Sequence, residues 1–150
     1  MFAMRLIKKG ERLIVYGGDW GIHYTNDKEK AKKAKLDKHK LVIQWDDNFF
    51  SIESRSKNRD WGWCINHSCN PNTWAKDAFT IIARKNIKSG QEITADYTMW
   101  NDTIEKCACG SSLCRGRITE SDWMLPELQK RYKNHFTPFL NKKIKNRDKK

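Results

Sequence analysis

Asn66-His67-Ser68-Cys69-Asn70-Pro71-Asn72 is the stretch on which the reading of this chain turns. By itself it has an ordinary explanation, since Asn-Pro-Asn favours a turn whose short polar side chains bond nearby backbone. His67 and Cys69 could face one way on a strand as a nucleophile pair, but no third orienting group is evident. Its company downstream changes the reading: Glu92-Ile93-Thr94-Ala95-Asp96-Tyr97, then Cys107-Ala108-Cys109-Gly110-Ser111-Ser112-Leu113-Cys114. Cys107 and Cys109 lie too close for a strain-free disulfide, and five cysteines cannot all pair within one chain. The cluster therefore points to metal ligation in a reducing compartment, with zinc the expected ion.

Outward from these segments, the 150 residues fit one domain with a real core, for which seven Trp, six Phe and four Tyr supply bulk. No apolar run approaches the ~18 residues that span a bilayer, and no apolar signal core opens the chain. A soluble, cytosolic protein is the expectation, nuclear or chromatin-associated if its substrate is a histone. The net charge of +12 predicts attraction to nucleic acid, anionic surfaces or acidic proteins and says nothing about fold. Much of it lies in two blocks: Lys28, Lys30, Lys32, Lys33, Lys35, Lys38 and Lys40, then Lys142, Lys143, Lys145, Arg147, Lys149 and Lys150. The plain reading of these blocks is a solvated helix face and a frayed tail.

Short strands dominate the pattern. Leu6-Ile7, a turn at residues 8–11 and Leu13 to Tyr16 read as strand–turn–strand, broken by Gly17-Gly18. Residues 27–40 read as an exposed, lysine-rich helix. A hairpin follows, Leu41 to Trp45 and Phe49 to Ile52, with residues 53–60 as a loop. Residues 79–83 and 93–97 read as strands separated by a turn at 87–92. Pro126 suits the first turn of a helix, and Leu128, Tyr132, Phe136 and Leu140 give it one apolar face, bent or restarted at Pro138.

In order and spacing, residues 2 to about 116 resemble a SET-domain protein lysine methyltransferase with its post-SET zinc segment. The resemblance rests on Phe2-Ala3, Tyr16-Gly17-Gly18, the Asn66–Asn72 signature, Gly90 to Tyr97, and the Cys-x-Cys-x4-Cys of Cys107, Cys109 and Cys114. The stretch from Asp122-Trp123 to His135-Phe136 is similar to the tail of small microbial or viral members. The fold it implies is mainly β with short helices (α+β), small curved sheets with a pseudoknot through the Asn66-His67 segment. The implied organisation is a catalytic region over 1–100, the post-SET zinc segment over 101–120, a C-terminal helix over 121–141 and a basic tail over 142–150. Residue 1 follows the point where most members carry a Gly-x-Gly that approaches the cofactor.

The reaction the resemblance implies is methyl transfer from S-adenosylmethionine to a lysine amine of a protein, a histone or another basic protein. A free lysine, with a pKa near 10.4, is mostly protonated and cannot attack, so the site must desolvate it and release its proton. By resemblance, Tyr97 is the catalytic tyrosine, Tyr16 lines the lysine channel, and Tyr24 is a weaker candidate for that lining. Asn66 and His67, with Tyr97, hold the cofactor. Cys69 joins Cys107, Cys109 and Cys114 as the fourth zinc ligand, and Cys64 is left as a plain thiol. Small Ala95, where the family often has an aromatic residue, suggests that higher methylation states are allowed. The alternative is a catalytically weak or inactive, zinc-stabilised SET-like module that binds nucleic acid or chromatin through the basic blocks.

Overall fold

The structure is a computed structural model that describes residues 1–15, 22–37, 39–54 and 64–147. Among these residues the chain forms three small sheets. In the first, β7 (Thr80–Ala83) lies between β1 (Arg12–Val15) and β6 (Thr73–Ala75), antiparallel to both. In the second, β4 (Phe49–Ser54) is flanked by β2 (Ile22–Thr25) and β3 (Lys40–Asp46), again antiparallel. The third is a parallel pair, β5 (Asn66–His67) beside β8 (Thr94–Ala95).

The expected β3–β4 hairpin is present. The expected N-terminal strand–turn–strand pairs differently: among the described residues its two arms pair not with each other but with the 80s segment. Ile7 and Ile87 exchange backbone bonds at 2.9 Å, and Gly10 donates to Ala83 at 2.8 Å. The two similar turns of the sequence, around Gly10 and Gly90, close alike. Glu11 N–H reaches Lys8 and Gln91 N–H reaches Lys88, each glycine having a φ near +80° (83° and 76°) that a side chain would strain.

Helix α1 (Lys28–Lys35) is shorter than the 27–40 span the lysine pattern suggests. Asp27 caps it by accepting from the N–H groups of Glu29 and Lys30. Its end is equally local: Asp37 takes the N–H of His39, turning the chain into β3. Ala31 and Ala34 are the buried face of α1; its lysines lie outside. Residues 93–97 are not one strand either. β8 stops at Ala95, and Asp96 caps a 3₁₀ turn, Tyr97–Trp100, by accepting from Thr98 N–H at 3.1 Å.

At the C-terminus the helix expected over 121–141, bent or restarted at Pro138, is three pieces: a 3₁₀ turn Asp122–Met124, α2 (Pro126–Tyr132) and, restarting at Pro138, α3 (Pro138–Arg147). Lys133, at φ 51°, stops α2, and Pro138, which lacks an N–H and disfavours helix at the residue before it, opens α3. The helix runs on to Arg147, so most of the stretch read as a frayed tail is ordered. Leu128, Tyr132, Phe136 and Leu140 are all buried nonetheless, packed with Met99, Trp123 and Phe139. Another core, built on Ile14, Ile65, Ile81, Ile87 and Ile93, lies between the first and third sheets. Cys69, Cys107 and Ile118 form a third, smaller cluster. No helix among the described residues is long and apolar enough to cross a membrane.

Candidate active site and thiol cluster

The parallel pair β5–β8 sets Asn66 opposite Thr94 and His67 opposite Ala95. The rest of the signature locks this register. Asn72 donates its amide to Glu92 O (2.7 Å) and accepts from Thr94 N–H (2.8 Å), while Thr73 donates its hydroxyl to Thr94 O (2.8 Å). The Asn-Pro-Asn stretch is thus more than a local turn, since its last asparagine satisfies the backbone of a strand 20 residues on.

Tyr97 enters from the 3₁₀ turn after β8. Its ring meets the His67 imidazole edge-on with centroids 5.3 Å apart, and its hydroxyl donates to Ile65 O at 2.9 Å. Asn66 stands exposed beside them, its amide held by Glu92 at 2.7 Å. Asn66, His67 and Tyr97, separated by up to 31 positions in sequence, therefore share one corner of the fold. Tyr16 lies outside the described residues. Tyr24 stacks on Phe49 at 5.4 Å on the half-exposed surface of the second sheet. Ala95 is buried, packed in the core built on Ile14, Ile65, Ile81, Ile87 and Ile93.

His67 has a defined tautomer. Its Nδ1 accepts the N–H of Tyr97 at 3.3 Å, which leaves the proton on Nε2, 3.3 Å from the Cys69 sulfur. Burial pulls its pKa below the ordinary histidine value, with Asp96 opposing, so the ring is neutral.

The four expected metal ligands come together. Cys69 Sγ lies 3.9 Å from Cys107 Sγ, and Cys114 Sγ 3.7 Å from Cys107 Sγ. Cys69 donates its N–H to Cys109 Sγ at 3.5 Å. The donor atoms of His67, Cys69, Cys107 and Cys109 all lie within 4.8 Å of one another; this group takes in the imidazole, which sequence reasoning did not count among the ligands, and leaves out Cys114, whose sulfur approaches that of Cys107. Burial pushes the Cys69 thiol up to about 12. Burial acts upward on Cys109 too, but the N–H groups of Cys69 and Ser111 and the neighbouring thiols outweigh it, bringing it to about 7. Converging soft donors with one readily ionised member fit a tetrahedral thiophilic ion such as zinc. Cys64 stands apart and exposed.

What sequence reasoning missed is the polar hub beneath the site. Asp96 is fully buried and accepts from both ends of the Arg115 guanidinium (2.8 and 2.9 Å), from Tyr132 OH (2.7 Å) and from Thr98 N–H (3.1 Å). Arg115 also donates from Nε to Asp122 (2.8 Å) and from a terminal nitrogen to Thr98 Oγ1 (2.8 Å). Burial alone would raise the Asp96 carboxyl, but Arg115 and Tyr132 hold it below the ordinary carboxylate range. Burial beside that carboxylate drives the Tyr132 phenol well above its usual value. Arg131 adds a bond from α2 to Cys69 O at 2.8 Å. Asp96 belongs to the Asp-Tyr element and was legible as a motif; nothing in spacing announced its partners.

A sequence profile of the SET domain matches residues 1–98. The chain belongs to the SET-domain family. Its relatives include the histone-lysine N-methyltransferases SETD1B of Homo sapiens, 39% identical over 127 residues, and ASHH2 of Arabidopsis thaliana, 34% identical over 133 residues. These alignments cover 79% and 78% of this chain but only 6% and 7% of the relatives, which are far longer proteins. Among solved structures, the methyltransferase domain of human SETMAR superposes with a TM-score of 0.54 at 17% identity. That superposition covers 77% of this chain and 51% of the other, and it bears on the fold alone. The SET fold observed here is therefore the α+β arrangement of small sheets that the motifs imply.

Proposed function

We propose that this SET domain transfers a methyl group from S-adenosylmethionine to the side-chain amine of a lysine in a protein, a histone or another basic protein. The observation that carries the reading is the convergence of Asn66, His67 and Tyr97 on one corner directly against the thiol cluster. The naming of its relatives as histone-lysine N-methyltransferases supports the substrate class.

An exposed amide, a buried neutral imidazole and a phenol on adjoining backbone suit a cofactor with an amino-acid end and an adenine end. When bound, S-adenosylmethionine would supply an electrophilic methyl for the lysine nitrogen, with the sulfonium sulfur departing in line as a neutral thioether. Tyr97 commits its own proton to Ile65 O, so what its oxygen offers a lysine is lone-pair acceptance, which orients the amine. The half-buried surroundings of Tyr97 disfavour the ammonium and help its proton leave. Positioning of this kind supplies much of the rate in such a displacement. Tyr16, on the resemblance, completes the lysine channel.

Cys69, Cys107, Cys109 and Cys114 would hold zinc, which supplies a cross-link between the signature and the segment after residue 100. Lys28, Lys30 and Lys33 on the exposed face of α1 support a second element of the reading, an anionic partner such as nucleic acid near the substrate.

The test is to incubate the protein with methyl-labelled S-adenosylmethionine and candidate basic proteins, histones among them, and to map the modified residues. Label on lysine that falls at least ~100-fold with Tyr97→Phe supports the reading, a loss of the size that misplacing a reacting group causes. Salt-dependent DNA binding without transfer or cofactor binding selects the inactive module instead.

A further inference from the structure

Arg115 is joined to both halves of the site. Its backbone N–H donates to Cys69 Sγ at 3.3 Å, the sulfur that His67 Nε2 also approaches at 3.3 Å. Its guanidinium grips the Asp96 carboxylate with two nitrogens. The same carboxylate caps the turn that carries Tyr97, and Tyr97 N–H returns to His67 Nδ1. The contacts close a ring: thiol, imidazole, the Asp96-Tyr97 backbone, guanidinium and thiol again.

We propose that Arg115 is a positioning residue, through which the thiol cluster fixes the orientation of Tyr97. This rests on the methyl-transfer reading above. The phenol is held at its tip by Ile65 O and at its backbone by the capped turn. If the Asp96 carboxylate swings, the base of Tyr97 moves with it. Only a planar fork can satisfy Asp96, Asp122 and Thr98 at once; an ammonium carries the same charge on a single nitrogen and cannot span them. A displacement of about 1 Å in a reacting group costs roughly 100-fold in rate, so loosening this grip should be visible in turnover. A purely structural Arg115 would instead affect the folded fraction.

The experiment compares wild type, Arg115→Lys and, as a surface control, Arg117→Lys, all at a temperature where circular dichroism finds each fully folded. Turnover is measured with labelled S-adenosylmethionine on the protein substrate that the wild type modifies, and zinc is counted by elemental analysis. The expected result for Arg115→Lys is a kcat reduced at least ~10-fold, KM values within about threefold of wild type, and unchanged zinc per chain. Arg117→Lys should match wild type. A kcat for Arg115→Lys within twofold of wild type overturns the proposal. So does a loss of turnover that merely tracks loss of zinc, which would make Arg115 a prop for the metal alone. A wild type that methylates nothing sinks the methyl-transfer reading itself, and this inference with it.

Discussion

Asp96 is the residue at which chemistry and stability meet. A carboxylate with no exposed surface is costly unless its partners are complete, and here a guanidinium fork, a phenol and a backbone N–H complete it. Its folded-state pKa lies below the unfolded value of about 3.9. The stability it contributes is therefore fully present above that value and is lost as pH falls through the lower folded one. Urea unfolding at pH 6, 4.5 and 3 should give a wild type that weakens steeply below about 4. Asp96→Asn should be less stable at pH 6 by about 3–5 kcal/mol, the cost of leaving the Arg115 charge without its partner, and should have a shallower acid limb. Equal acid limbs for the two proteins would show that Asp96 is not the titrating group. His67 carries the other residue-scale lesson. Its neutral ring, with Nδ1 taken by Tyr97 N–H, turns Nε2–H toward sulfur, which casts it as a donor beside the thiols.

Elements follow from local chemistry more closely than from periodicity. The hairpin of β3 and β4, the Pro126 start of α2 and the α1 helix were all legible, because turn residues, Pro and alanine spacing act within a few positions. Legibility failed where a distant partner decides. β5 is two residues long and exists only because Thr94 and Ala95 lie alongside; β2 drew no signal from its four residues, and it is held by β4. The apolar repeat at 128, 132, 136 and 140 identified the right buried side chains, and Pro138 the restart that opens α3, while the break at Lys133 that ends α2 left no signal in the sequence. The site divides in the same way: its motif residues were readable, while Arg115, Asp122 and Tyr132 reach it only by tertiary contact. Two stability predictions belong here. Leu128→Ala, in a fully buried position, should cost about 2–5 kcal/mol in chemical denaturation. Asp27→Ala should cost about 1 kcal/mol by removing the cap of α1, without changing turnover. A Leu128→Ala protein of wild-type stability would mean that α2 is not packed as described.

For the molecule as a whole, the +12 charge is unevenly committed. In the C-terminal block, Lys142 lies 3.4 Å from Asp46, Lys143 sits 5.7 Å from the Trp123 ring centre and Arg147 5.8 Å from the same ring, so much of that block is spent on docking α3. Helix α1 offers more of its charge outward, despite the Lys32–Glu29 and Lys35–Glu120 pairs. Reversing Lys30 and Lys33 to glutamate should weaken binding to duplex DNA and flatten its salt dependence, while leaving kcat on a free peptide unchanged. Unaltered DNA binding in that variant would remove α1 from the partner surface. The wider account holds that a thiol-bound zinc and the Asn66–His67–Tyr97 corner form one working unit. Its most direct test is elemental analysis of the reduced, purified protein, coupled to calorimetric titration with S-adenosylmethionine before and after chelation. The account predicts one zinc per chain and cofactor affinity at least ~10-fold weaker once the metal is removed, as expected when metal binding and folding are coupled. A metal-free protein, or one whose cofactor affinity survives chelation intact, would contradict it.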